Sequence, residues 1–308
     1  MSNPRRVYIS SINNITPDPK FSTIELNLAN ARLERKSHQR LSVALVKASF
    51  PAEMSALPIT SVASTDIKRD ISVLAFATTA GTKQRIYYNQ TNTTLNSGAN
   101  IHNGYWVLNT TIDQILAQIN SINGGGNLKL DSLNRLIMGT GGAGCRFFWD
   151  DSSVKIMKAL GLERTLPAGS AEEVLITAAA NTPTRNPVNV ASVLPVIYIT
   201  TNMNMESFTS AKKGQSINIL GSVPVSLDIT ATGNNSLVSV INGVQQVNTP
   251  STQLNYTNHS LSGSHKSIDN QIISDLVLNL VNDELRPIGT LGKEWNLTLD
   301  VKIIDSAN

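Results

Sequence analysis

The stretch LGKEWNLTLDVKIID, Leu291 to Asp305, constrains the fold more than any other part of this chain. From Trp295 it alternates: Trp295, Leu297, Leu299, Val301 and Ile303 fall on one side, Asn296, Thr298, Asp300 and Lys302 on the other. A period of two is the geometry of a half-buried strand, with one face on a core and one toward water. INILGSVPVSLDI repeats the pattern and predicts a common face for Ile217, Ile219, Val223, Val225, Leu227 and Ile229. LSVALVKASFPA, residues 41–52, is almost continuously apolar and predicts a strand buried on both faces. TIELNLA, DISVLAFATT and KQRIYYNQ read as further strands, separated by Pro- and Gly-containing turns.

Helical spacing is confined to the middle of the chain. Ile112, Ile115, Leu116, Ile119 and Ile122 recur at intervals of three and four, behind the capping-box pair Thr111 and Gln114. SSVKIMKALGL reads as a second short helix, with Ser152 or Ser153 as N-cap and Gly161 at its end. About a dozen strands, two short helices and long polar links predict an all-β protein, a Greek-key jelly-roll β-sandwich. The mixed segment 83–163 is expected to be an inserted α+β subdomain, leaving 1–82 and 164–308 to the jelly roll.

Composition agrees with this class. Only 15% of the residues are charged, against a usual quarter, and Asn, Ser and Thr are abundant. Such a chain suits polar turns and wide hydrogen-bonded surfaces. The formal net charge of +3 does not by itself specify a nucleic-acid partner. Cys145 is the lone cysteine, so no internal disulfide framework exists, in keeping with a reducing compartment. The N-terminal MSNPRRVYIS has no apolar segment of the signal-peptide kind, and no uncharged apolar run is long enough to span a bilayer, so no membrane partner is expected.

Chemical motifs are sparse. GTGGAGC places Gly139, Gly141 and Gly144 in G-x-G-x-x-G order, but the strand-like CRFFWDD follows where a dinucleotide site needs a helix, so a hairpin loop is expected. Asp150 and Asp151 are adjacent and precede a helix start, where carboxylates favour the dipole. His38, His102, His259 and His265 show no metal-ligand spacing, so neither metal nor cofactor is expected. Phe147, Phe148 and Trp149 cannot share one face, so at least one should meet a second core or a partner. RLERKSHQR carries Arg35 and Lys36, and with Arg5 and Arg6 it gives the first third a basic bias without interleaved aromatics.

The segments IHNGYWVLNTTIDQILAQINSI, ALGL, VLPVIYITTNM, NILGSVPVSL and DLVLNLVNDELRPIGTLGKEWNLTLDVKI occur in that order from about residue 100 onward. In this order they resemble the penton (minor capsid) proteins of mavirus-type virophages and Polinton-like DNA viruses; over the first third the likeness is one of pattern only. The resemblance implies a jelly roll without catalysis. It implies homopentamers at the twelve icosahedral vertices, among trimers of a double jelly-roll major capsid protein, in virions assembled in the host cytoplasm. It implies that the final strand, opened by Trp295, completes the sheet as its structural anchor. Arg5, Arg6, Arg35 and Lys36 would then face the shell interior and packaged genomic DNA. The alternatives are a glycan-binding module of a spike or fibre using the Asn-rich loops at 234–265, a major capsid protein, and, third, a hydrolase using Asp150 or Asp151.

Overall fold

The computed structural model describes residues 5–13, 23–27, 33–34, 36, 39–58, 72–78, 81–89, 98–123, 127–140, 144–164, 173–176, 183–205, 208–209, 216–225, 227–229, 235–241, 244–247, 253–258, 265–269 and 272–305. The chain divides into two compact units, one of Met1–Met54, Pro195–Asp228 and Ser236–Asn308, the other of Ser55–Leu194 and Ile229–Asn235.

Eight strands organise the first unit. In chain order they are β1 (Arg5–Ser10), β2 (Thr23–Asn27), β3 (Gln39–Pro51), β4 (Val196–Thr201), β5 (Ile219–Pro224), β6 (Gln253–Thr257), β7 (Asp275–Val281) and β8 (Asn296–Asp305). They form two antiparallel sheets, one running β1-β8-β3-β6 and the other β2-β7-β4-β5. Consecutive strands therefore change sheets at every step except between β4 and β5, which pair with each other, and the two orders match position by position: first with second, eighth with seventh, third with fourth, sixth with fifth. That order is the eight-stranded double Greek key of a jelly roll. Among the described residues the protein is all-β with two short α-helices, and this unit is its jelly roll.

The long apolar run becomes β3, paired along its length with β8 on one side and with β6 and Lys266–Ile268 on the other. Leu41 to Val46 are all buried, as a central strand with both faces covered requires. Between the sheets, Val43, Leu299 and Val301 meet Leu276 and Ile273, closing to a residual void of about 10 Å³. Gly221 on β5 sits where a Cβ would lie 2.6 Å from Leu45 Cδ2. The β4–β5 register shifts at this point, between Ile199 and Thr200. Hence Leu220, not Ile219, is fully buried, and the single face expected for Ile217–Ile229 is broken by a bulge.

The second unit carries a five-stranded sheet in the order Glu173–Ile176, Cys145–Phe148, Val73–Thr78, Gln84–Tyr88, Ile101–Gly104. Its last pair is parallel. In sequence, Ser55–Leu194 falls between β3 and β4. Val73–Thr78 is hydrogen-bonded to both Gln84–Tyr88 and Cys145–Phe148, so a boundary drawn at residue 83 runs through that hairpin.

Helix α1 (Ile112–Ile122) has the capping box legible in sequence: the Gln114 N–H donates to Thr111 Oγ1 at 3.2 Å, and the Thr111 N–H donates to Gln114 Oε1 at 3.0 Å. Helix α2 (Val154–Ala159) differs. Ser153 precedes it, but its hydroxyl makes no cap. Ser153 Oγ instead accepts the Val73 N–H, and Ser152 Oγ the Ala75 N–H, both at 2.9 Å. Gly161 follows that helix at φ +73°, where a Cβ would lie 2.2 Å from the Asn186 carbonyl oxygen. Residues 141–143 of the glycine run, where a hairpin loop was expected, lie outside the described residues, and the strands on either side pair elsewhere. Leu136–Met138 before it pairs with Leu128–Leu130, whereas Cys145–Phe148 after it pairs in the larger sheet. Phe147 packs on Phe76 at 6.5 Å, while Phe148 joins Ala75 and Ala77 in a second cluster, beneath Lys83 at 4.2 Å.

Candidate functional site

The outer face and free edge of the β1-β8-β3-β6 sheet collect the polar chemistry of the first unit. On β8, Asn296, Thr298, Asp300 and Lys302 leave the face opposite the core, as their alternation predicts. Across the sheet they meet Ser10, Tyr8 and Arg6 on one side and Ser49, Lys47, Ala44 and Ser42 on the other. Ser49 Oγ donates to Asn255 Oδ1 at 2.8 Å, extending the polar rows toward β6. Among the described strands, β1 lies at one edge of this sheet. Tyr8 there is 66% exposed, and Ile12, in the turn after it, 71%. Ile304 on β8 is also exposed.

One buried polar cluster lies within this face. Ser42 Oγ is 3.4 Å from His265 Nδ1, and His265 Nε2 is 3.1 Å from Asp300 Oδ2. Lys302 Nζ lies 3.8 Å from the same carboxylate oxygen. The side chains of His265 and Asp300 are only 11% and 6% exposed. Burial pushes the His265 proton affinity below its ordinary value; Lys302 adds to this, and together they outweigh the opposing pull of Asp300. Hydroxyl, imidazole and carboxylate in a row are the parts of a nucleophilic relay, which also needs an open approach and N–H donors aimed at a developing oxyanion. Ser42 instead lies mid-strand, paired with Lys302 on one side and Ser267 on the other, so its neighbouring amides belong to the ladders. The cluster joins β8 and β3, side chain to side chain, with the residue that leads into the Lys266–Ile268 strand. No sequence spacing announced it, because its members are far apart in the chain.

The start of β8 is held from several sides. Trp295 is fully buried and stacks on Phe50 with ring centroids 5.8 Å apart. Its N–H donates to Ser11 Oγ, and its carbonyl accepts the Ser11 N–H, both at 3.0 Å.

No protein-family model matches the chain, and no curated protein does. Among solved structures, it is similar to the SeMet-labelled mavirus penton protein. That match has a TM-score of 0.44 and 10% identity, covering 99% of this chain and 100% of that one.

Of the four basic residues singled out in sequence, Arg5, Arg6 and Lys36 fall among the described residues. Arg5 and Arg6 are both exposed on β1 but, as successive strand residues, leave opposite faces. Lys36 is exposed on a separate segment, and Arg35 lies outside the described residues. Asp151 is paired with Lys83 and lies 3.5 Å from Arg85. Burial raises its carboxyl, but the two cations prevail and leave it below the usual carboxylate range. Cys145 is buried, which pushes its thiol up to about 12. Among the described residues, no group of three or more His, Cys, Asp or Glu could hold a metal ion, and no helix is long and apolar enough to cross a membrane. Much of the Asn-rich stretch at 234–265 lies outside the described residues.

The second unit holds a feature that sequence reading passed over. A groove of about 390 Å³ lies between the 103–110 loop and the first turns of α1. Tyr105 stands on its wall, 73% exposed, between the buried Gly104 and Trp106. The loop is held from below by Asn89, at φ +54°. Asn89 Nδ2 donates to the Trp106 carbonyl at 2.7 Å, Asn89 Oδ1 accepts the Trp106 N–H at 3.0 Å, and the Asn89 N–H donates to the Gly104 carbonyl at 3.0 Å. Trp106 packs edge-on against Tyr88 at 5.4 Å. The only signal in the sequence was the triplet GYW, whose alternation turns one large aromatic in and its neighbour out.

Proposed function

We propose that the chain is a structural capsid protein whose jelly roll assembles into homopentamers at icosahedral vertices, with no catalysis. The observation that carries this reading is the strand order β1-β8-β3-β6 and β2-β7-β4-β5, an architecture used by viral capsid and lectin domains. The ordered segments between about residue 100 and the closing strand support the same reading. So does the edge formed by β1, which presents Tyr8 and Ile12 beside rows of Asn, Ser and Thr: one apolar anchor with a hydrogen-bonding surround suits a subunit contact. In a ring each such contact is heterologous, and five-fold rotation closes it. The neighbours beyond the ring are trimers of a double jelly-roll major capsid protein, and the location is the vertex of a virion assembled in the host cytoplasm. Ser55–Leu194 is read as an insertion in the jelly roll.

Native mass across a salt series tests the assembly. A species of five times 33.2 kDa, alone or after addition of the major capsid protein, is expected. A stable trimer would favour the major capsid reading, and a monomer that ignores the capsid partner would end the vertex reading. Arg5, Arg6, Arg35 and Lys36 are proposed to face packaged DNA. Changing all four to serine should weaken duplex binding and lower its salt dependence by roughly 0.9 in log–log slope for each phosphate that is no longer neutralised. An unchanged slope would sink that assignment.

A further inference from the structure

We propose that the groove between the 103–110 loop and α1 is a binding site for a neutral saccharide. It stands apart from the shell role and rests on the geometry of the second unit alone.

Tyr105 stands on the wall of this groove. A tyrosine 73% exposed leaves a large apolar ring in water, while its neighbours on both sides are buried. The loop gives it no freedom to turn inward. Gly104 is pressed so close that a Cβ would lie 2.7 Å from Tyr88 Cε1, and Trp106 is held at both backbone groups by Asn89. The ring is thus presented on a rigid support. An aromatic carried on a held backbone has only its two side-chain torsions to order when it binds a flat apolar surface. The C–H face of a pyranose is such a surface.

The rest of the lining supplies the matching polar groups. Asn103, Asn109, Thr110, Gln114 and Gln118 stand around the ring. An amide side chain offers a donor pair and an acceptor, the complement of vicinal hydroxyls. Gln118 Nε2 donates to the Asn103 carbonyl at 2.8 Å, and Gln114 Oε1 takes part in the α1 cap. Among the described residues the Gln114 NH₂ and the whole Asn109 amide make no other hydrogen bond and remain for a ligand. About 390 Å³ is the size of a small-ligand cleft and accommodates one or two sugar rings.

Charge narrows the class. Among the described residues, no ionisable acid or base lines the groove apart from the tyrosine, so none of them compensates an ionic ligand for its shed water. The positive end of α1 is already answered by Asp113 in its first turn and by the capping box, which works against an acidic sugar. One aromatic, several amides and no fixed charge select a neutral, polyhydroxylated ligand.

The test uses the full chain on an array of neutral oligosaccharides ending in glucose, galactose, mannose or N-acetylglucosamine, with sialylated and sulfated glycans alongside. Bound glycans are then titrated against the wild type, Tyr105→Ala, Tyr105→Phe and Asn109→Ala. Binding of at least one neutral glycan is expected. Tyr105→Ala should weaken it about ten-fold, as removal of aromatic stacking worth about 1.4 kcal/mol implies, and Tyr105→Phe should largely keep it. Thermal unfolding of each variant, unchanged from wild type, separates loss of site from loss of fold. No neutral glycan bound, binding of acidic glycans only, or equal affinity in a folded Tyr105→Ala protein would each overturn the proposal. None of these results bears on the native mass, so the site and the shell role fail separately.

Discussion

His265 shows how much one side chain's surroundings decide. Its folded-state proton affinity is lowered from the ordinary 6.5 by burial and by Lys302. The unfolded chain therefore takes up a proton that the folded chain resists, and stability grows with pH across that interval. Its contribution is complete above about pH 6.5 and is lost as the pH falls through that value toward the folded-state one. Denaturant midpoints measured between about pH 7.5 and 5 should drop on the acid side in the wild type, and His265→Gln should flatten this limb. Trp295 is the other decisive residue. Trp295→Ala removes a fully buried ring stacked on Phe50 and should cost about 3–5 kcal/mol in equilibrium unfolding. Trp295 was legible because it heads an unbroken alternation. The His265 cluster was not, since a residue on a strand's polar side is marked only as facing away from the core, and nothing in the sequence says which strand lies beside it.

At the scale of elements, local signals were read well where local physics decides. The capping box of α1 is a contact between residues three apart, and it forms as the pattern dictates. Ser153 obeys a tertiary demand instead, accepting the Val73 N–H from another strand. The two serve as a paired prediction. Thr111→Ala should cost about 1 kcal/mol and reduce helical circular dichroism, as loss of an N-cap does. Ser153→Ala should cost about 1–3 kcal/mol through a stranded N–H, with helical signal intact below the transition. Equal loss of helical signal in both would return Ser153 to a capping role. The jelly-roll strands were legible as alternating segments, but their order was not, because pairing in this fold joins strands distant in the chain. The same reason moved Val73–Thr78 into the second unit: its sequence reads as a buried strand, and only its partners say of which sheet. The bulge at Gly221 escaped notice because a glycine in a strand pattern marks close approach without naming what approaches.

For the whole molecule, the proposed ring depends on an edge strand that presents apolar side chains to solvent. Tyr8→Ser with Ile12→Ser leaves the core untouched, since both are exposed, and should shift native mass toward the monomer at equal concentration while leaving unfolding of the monomer within about 0.5 kcal/mol. Retention of the wild-type mass would move the contact to another face. The place of β8 has a further consequence, one of timing. It is the central strand that joins β1 to β3, although every other strand of its sheet precedes it in the chain. On the ribosome, β1 and β3 are made early and wait without a common neighbour until residues 296–305 emerge. The sheet is completed only when the last of its strands is made, and the edge that β1 offers to a partner acquires its final geometry at that moment. A polysome crowded with nascent copies thus carries many unfinished edges and few finished ones. In the proposed ring, assembly waits on the arrival of β8.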